Sequence, residues 1–107
     1  MYKDLDPLIH SRLRLTIMSH LVRSGKSDFK ELRELTSANS GNVSIQLAKL
    51  EEAGYVHTKK GFKNNYQHTS VELTDKGLQA FENYVNALKS YVDLTEEQNK
   101  TDIEKRR

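Results

Sequence analysis

Cysteine is absent from the 107-residue chain, which excludes a disulfide framework and any thiolate zinc site and suits a reducing, cytoplasmic setting. Long apolar runs are absent too. None exceeds two residues, far short of the roughly 20 that a membrane-spanning helix needs. The opening Met1-Tyr2-Lys3-Asp4 leads into no apolar stretch of the kind a secretory signal contains. Net charge is nearly absent, with 17 Lys and Arg against 15 Asp and Glu, a balance of +2. What is present is modest: Leu, Ile, Val and Phe supply 26 of the 107 residues. That lifts the chain above compositions typical of disorder and supports one domain with a small core. A core this small is often completed against a second subunit.

The distribution of charge says more than its sum. Between Leu35 and Val71 the bases are Lys49, Lys59, Lys60 and Lys63, and the acids are only the adjacent Glu51 and Glu52. From Ala53 to Val71 there is no carboxylate at all. A surface that meets phosphates must lack acids as well as carry bases. A lysine-tipped hairpin kept soluble by its charge would look the same.

Hydrophobic periodicity predicts a first helix over about Ser11–Arg23, with Leu13, Ile17 and Leu21 on one face and Leu15, Met18 and Val22 on the next. Gly25 ends it. Ser27-Asp28-Phe29 gives a short extended step and an N-cap, and a second, short helix follows from Lys30 to Leu35. Thr36-Ser37-Ala38-Asn39 forms a turn, and Asn39 caps a third helix that extends to about Ala53 and stops at Gly54. Extended runs at Tyr55–Lys60 and Tyr66–Leu73 form a hairpin, with residues 61–65 as a loop longer than two residues. A final helix runs from about Lys76 to Asp93, leaving residues 94–107 as a polar, disordered tail. The order predicts a mainly α chain with a small antiparallel β-hairpin: a winged helix-turn-helix over residues 1–93, with an added C-terminal dimerisation helix.

With Val43, Leu47 and Leu50 inward, the third helix turns Gly41, Asn42, Ile45, Ala48 and Lys49 outward, flanked by Ser40, Ser44 and Gln46. Such a face lacks the Glu and Lys of an ordinary solvent-facing helix. Small residues permit close approach to a groove, Asn42 and Gln46 can address base edges, and Ile45 can meet a thymine methyl. The helix N-terminus at Asn39 and Ser40 adds a positive dipole end for phosphate. Lys59, Lys60, Lys63, Asn64 and Asn65 at the hairpin tip would form the wing along the backbone, where lysine adds attraction but little sequence information. A neutral helix docking on another protein is the competing reading.

On the final helix, Leu78, Phe81, Val85, Leu88 and Val92 follow the 3-4 spacing of a coiled-coil seam, beside a second stripe of Ala80, Tyr84, Ala87 and Tyr91. The apolar face covers about half the circumference, more than packing on one core requires. Part is therefore expected to meet a second subunit, joined by Tyr2, Leu5, Leu8 and Ile9, and the two-fold homodimer would favour a palindromic duplex site.

Several segments together carry a family resemblance. They are Leu5-Asp6-Pro7-Leu8-Ile9-His10 with Arg14-Leu15 and Ile17-Met18, then Phe29-x-x-Leu32, then Gly41-Asn42-Val43-Ser44-x-x-Leu47-x-x-Leu50-Glu51-x-Ala53-Gly54-Tyr55-Val56, and finally Leu73-Thr74-x-x-Gly77. Across about residues 5–92 the chain resembles small MarR-like winged-helix regulators. The resemblance implies a dimeric prokaryotic transcription regulator, in many relatives a repressor, whose first and last helices form the dimer. Ser37 stands where the turn commonly has Gly, Gln46 where His is common, and the wing lacks the frequent Arg, so base preference does not transfer.

Catalytic patterns are missing. His10, His20, His57 and His68 form no i, i+4 pair or carboxylate cluster, although His57 and His68 are placed to face each other across the hairpin. No nucleophile–base spacing or phosphate-cradling Gly loop stands out, so neither an enzyme, a metal site nor a cofactor is expected. A small-molecule effector could lie between the winged domain and the last helix, lined by Tyr84 and Tyr91.

Overall fold

A computed structural model describes residues 1–106 of the chain, with side chains described through Val92. Helix α1 spans Arg12–Ser24, strand β1 Lys26–Asp28, helix α2 Phe29–Thr36, helix α3 Ser40–Glu52, strands β2 Val56–Lys63 and β3 Tyr66–Leu73, and helix α4 Asp75–Arg106.

Local chemistry sets most boundaries. Gly25 ends α1 at φ 79°, donating its N–H to the Leu21 carbonyl at 2.7 Å. Asp28 caps α2, its carboxylate accepting from the Glu31 N–H at 2.7 Å. Asn39 does the same for α3, accepting from Asn42 N–H at 2.8 Å, and Gly54 leaves it at φ 81°. Ser37, with φ 58° and ψ 16°, is a non-glycine residue held in the left-handed region.

The strands form one antiparallel sheet in the order β1-β3-β2, so the short extended step becomes a third strand beside the hairpin. The turn itself corrects the expected five-residue loop. Lys63 pairs with Tyr66, leaving only Asn64 and Asn65, at φ 53° and 67°, as a two-residue turn. Two consecutive left-handed residues are what a tight hairpin of this twist requires, and asparagine tolerates that conformation. Gly61 is then an ordinary strand residue opposite His68.

The core joins Ile17, Met18 and Leu21 of α1 to Leu32, to Val43, Leu47 and Leu50 of α3, and to Val56 and Val71 of the sheet. Ile9 and Tyr84 are also part of it. Helix α4 starts under a Thr74 cap, whose hydroxyl accepts from Gly77 N–H at 2.9 Å and donates to Gly54 O at 2.6 Å. It then runs on to Arg106 rather than ending near Asp93. The side chains beyond Val92, on which the reading of a polar tail rests, lie outside the described ones.

Candidate nucleic-acid interface

Burial of Val43, Leu47 and Leu50, each at most 4% exposed, fixes the rotation of α3 about its axis. Ser40, Gly41, Ser44, Ile45, Ala48 and Lys49 consequently face solvent, as does the cap residue Asn39. Ile45 is 56% exposed, a large apolar side chain left open to solvent. Asn42 and Gln46 are placed differently. They sit half-buried on the flank turned toward α1, where Gln46 Nε2 donates to Asn42 Oδ1 at 2.9 Å and Gln46 Oε1 accepts from Arg14. Arg14 also donates through Nε to the Leu8 carbonyl. Nothing in the local sequence signals this partner, because 32 residues separate Arg14 from Gln46.

The wing is longer and narrower at its tip than expected. Strand alternation puts Lys60 and Phe62 on the face that continues from the buried Val56, with Thr69 and Gln67 opposite them. Lys59 and Lys63 lie on the other face, opposite Ser70 and Tyr66. All three lysines are exposed and, among the described residues, none is ion-paired. Asn64 and Asn65 form the apex. Phe62 and Tyr66, 80% and 78% exposed, flank this basic apex and were not singled out by the sequence reading; alternation between aromatic and basic residues was the available signal.

Between helix and wing runs a groove of about 510 Å³. Ser44, Ala48 and Glu51 of α3 line one wall, Lys60, Thr58 and Thr69 the other, and Phe29 and Lys30 one end. Glu51, the acid nearest this surface, accepts a hydrogen bond from the Thr58 hydroxyl. The Asp28 carboxyl, at the start of α2, is held below its ordinary value of 3.8, chiefly by the Glu31 N–H it accepts from, with His68 and Lys63 adding attraction against the opposing effect of burial.

The histidines do not gather. His57 pairs with Glu72 and His68 with Gly61, so the two are four positions apart along the sheet instead of facing each other. His68 Nε2 lies 3.5 Å from Asp28 Oδ2, and His20 Nε2 lies 2.6 Å from Glu31 Oε1. Among the described residues no group of three or more His, Asp or Glu side chains could hold a metal ion. No helix among them is long and apolar enough to cross a membrane.

The face expected to meet a second subunit divides in two. Ile9 and Tyr84 are buried within the chain itself, Tyr84 Oη lying 2.9 Å from His10 Nδ1, and Ala87 is 5% exposed beside them. Leu5, Leu8, Phe81 and Val85 are half-buried. Leu78, Leu88, Tyr91 and Val92 remain between 36% and 42% exposed. The N-terminal arm lies along α4, with Tyr2 stacked on Tyr91 at 4.7 Å and the Tyr91 hydroxyl donating to Lys3 O at 2.9 Å.

Comparison with known proteins agrees with this geometry. Residues 13–92 match the family described as a winged helix DNA-binding domain. An uncharacterized protein of Methanocaldococcus jannaschii is 35% identical over 78 residues, covering 73% of this chain and 85% of that protein. A transcriptional regulator homologue from Pyrococcus horikoshii OT3 superposes with a TM-score of 0.75 at 28% identity, over 80% of this chain and 85% of its own. A transcriptional regulator of the MarR family from Enterococcus faecalis V583 shares the fold, with a TM-score of 0.66 at 20% identity over 91% of this chain and 84% of its own.

Proposed function

Because the chain belongs to the winged helix DNA-binding domain family, we propose that it is a transcriptional repressor that binds a palindromic duplex site as a homodimer. In this reading α3 enters the major groove and the wing follows the adjacent backbone. One observation carries it. From Asn39 to Leu50 on α3 and from Ala53 to Val71 through the wing there is no carboxylate; Glu51 and Glu52 close the end of α3, Glu72 lies at the base of the wing, and Lys59, Lys60 and Lys63 form no ion pair among the described residues. A solvated helix has no reason to expel acids so completely, whereas a phosphate-facing one does. Ser40 and Ser44, at the N-terminal end of α3, would serve phosphate or base, and Ile45 would meet a thymine methyl.

The exposed seam of Leu78, Leu88, Tyr91 and Val92 supports a second copy as partner, with Tyr2 at its margin. A two-fold pair would set the two copies of α3 about one helical turn of DNA apart, roughly 34 Å. A cavity of about 310 Å³ between the N-terminal arm and α4, lined by Leu5, Asp6, Tyr55, Ala80 and Tyr84, is where a small-molecule effector would lie.

Lys60→Glu combined with Lys63→Glu tests the wing. Duplex affinity should fall on the order of 100-fold at low salt, and the log–log salt slope should become shallower by roughly 2 to 4, since each lost phosphate contact removes about 0.9. Unchanged affinity and slope would remove the wing from the interface. A chain that bound no duplex in a salt-sensitive manner would instead be a protein-docking module.

A further inference from the structure

We propose that Arg14 sets the base preference of Asn42 by fixing which end of its amide faces outward, an inference that rests on the DNA-binding reading of α3. Arg14 lies in the first turn of α1, half-buried, with Nε donating to Leu8 O and Nη1 donating to Gln46 Oε1, both at 2.5 Å. A guanidinium carries five N–H donors and no acceptor. The Gln46 atom that faces it must therefore be the oxygen, which sends the Gln46 amide nitrogen the other way. That nitrogen lies 2.9 Å from Asn42 and can only donate, so the Asn42 atom receiving it must be Oδ1. Each orientation follows from the one before, starting from a residue that cannot accept.

The consequence appears at the far end of the relay. With Oδ1 engaged, Asn42 turns Nδ2 away from Gln46, and Asn42 stands in the first turn of α3, the part of a recognition helix that reaches base edges. The bidentate pairing of asparagine with adenine draws on the same Oδ1, which keeps only its second lone pair and is held in place by Gln46, and is disfavoured here. A lone N–H₂ group instead matches an edge offering acceptors only: O6 and N7 of guanine, or O4 of thymine. The amino group of cytosine would meet it donor to donor, and adenine offers N7 alone, beside an amino group that repels the same donor. At the base pair opposite Asn42 the protein therefore selects keto over amino bases. Arg14 and Gln46 are positioning residues, and the Leu8 carbonyl anchors the relay to the N-terminal segment.

Reversing the middle of the relay reverses the reading. Gln46→Glu supplies acceptors only: one oxygen keeps the bond from Arg14, now charge-assisted, and the other requires a donor from Asn42. The Asn42 amide turns over and presents Oδ1, which matches the amino groups of cytosine and adenine. Binding selection from random duplex DNA reads this directly. The wild type should prefer keto bases at one position of each half-site by roughly tenfold, the worth of one well-made hydrogen bond. Gln46→Glu should invert the preference there and leave the other positions as they were, whereas Arg14→Ala and Asn42→Ala should each bring it near one. If Gln46→Glu does not fold, the two alanine variants decide the matter. The same preference at every position in Asn42→Ala, or in both Gln46→Glu and Arg14→Ala, overturns the relay while leaving DNA binding intact. A wild type that selects no duplex overturns the relay together with the reading beneath it.

Discussion

A methyl group added at Gly77 would lie 2.1 Å from the Tyr55 carbonyl oxygen and 2.9 Å from its carbon. Neither atom can retreat, because that carbonyl already accepts the Thr74 N–H at 3.1 Å, and the Tyr55 hydroxyl is tied to Asp6 Oδ2 at 2.6 Å. The latter bond, with burial, pushes the Tyr55 phenol up to about 12. Gly77→Ala is therefore expected to destabilise the fold by about 3 kcal/mol, seen as a Tm lower by more than roughly 10 °C. Ser37 poses the opposite case. It holds a left-handed backbone at φ 58° without glycine's freedom, so Ser37→Gly should stabilise by about 0.5–1 kcal/mol in urea unfolding. A null or negative change there would mean that the serine side chain stabilises the turn by as much as its backbone costs.

Helix α2 depends on its Asp28 cap, and the dependence has a definite pH sign. The folded-state carboxyl is held below 3.8, so its stabilisation is complete above the unfolded value and is lost as pH falls through the folded one. Asp28→Ala should cost about 1 kcal/mol at neutral pH, and the gap to the parent should close as the solution is acidified below about pH 4; a constant gap would deny the charge any role. Caps of this kind, at Asp28, Asn39, Gly25 and Gly54, were legible in the sequence because they act within four residues of themselves. The buried face of α3 was legible for the same reason, as its spacing repeats locally. The wing turn is ambiguous in the sequence because Gly61 and the Asn64-Asn65 pair compete as turn residues, and only the pairing of Lys63 with Tyr66 decides between them. The pairing of β1 with β3 and the tie from Arg14 to Gln46 were illegible, since each joins residues more than 30 apart.

At the scale of the whole molecule, the apolar face of α4 is divided between two environments. Tyr84 and Ala87 close the chain's own core, while Leu78, Leu88, Tyr91 and Val92 stay exposed on the adjoining stripe. Leu88→Asp leaves the first set untouched and places a charge in the second, so it should convert a dimer to a monomer by light scattering while preserving the helical circular dichroism. An unchanged mass would exclude this seam as the contact. The same arrangement bears on what the molecule can recognise. Gly77 brings the first turn of α4 hard against the base of the wing, and Asp6 ties the N-terminal arm to that same junction. Joined through α4, the paired reading heads would behave as a caliper with a fixed gap. One base pair inserted between half-sites moves them about 3.4 Å apart and rotates one by roughly 35° about the duplex, a phase error that a caliper locked at the joint has no slack to absorb.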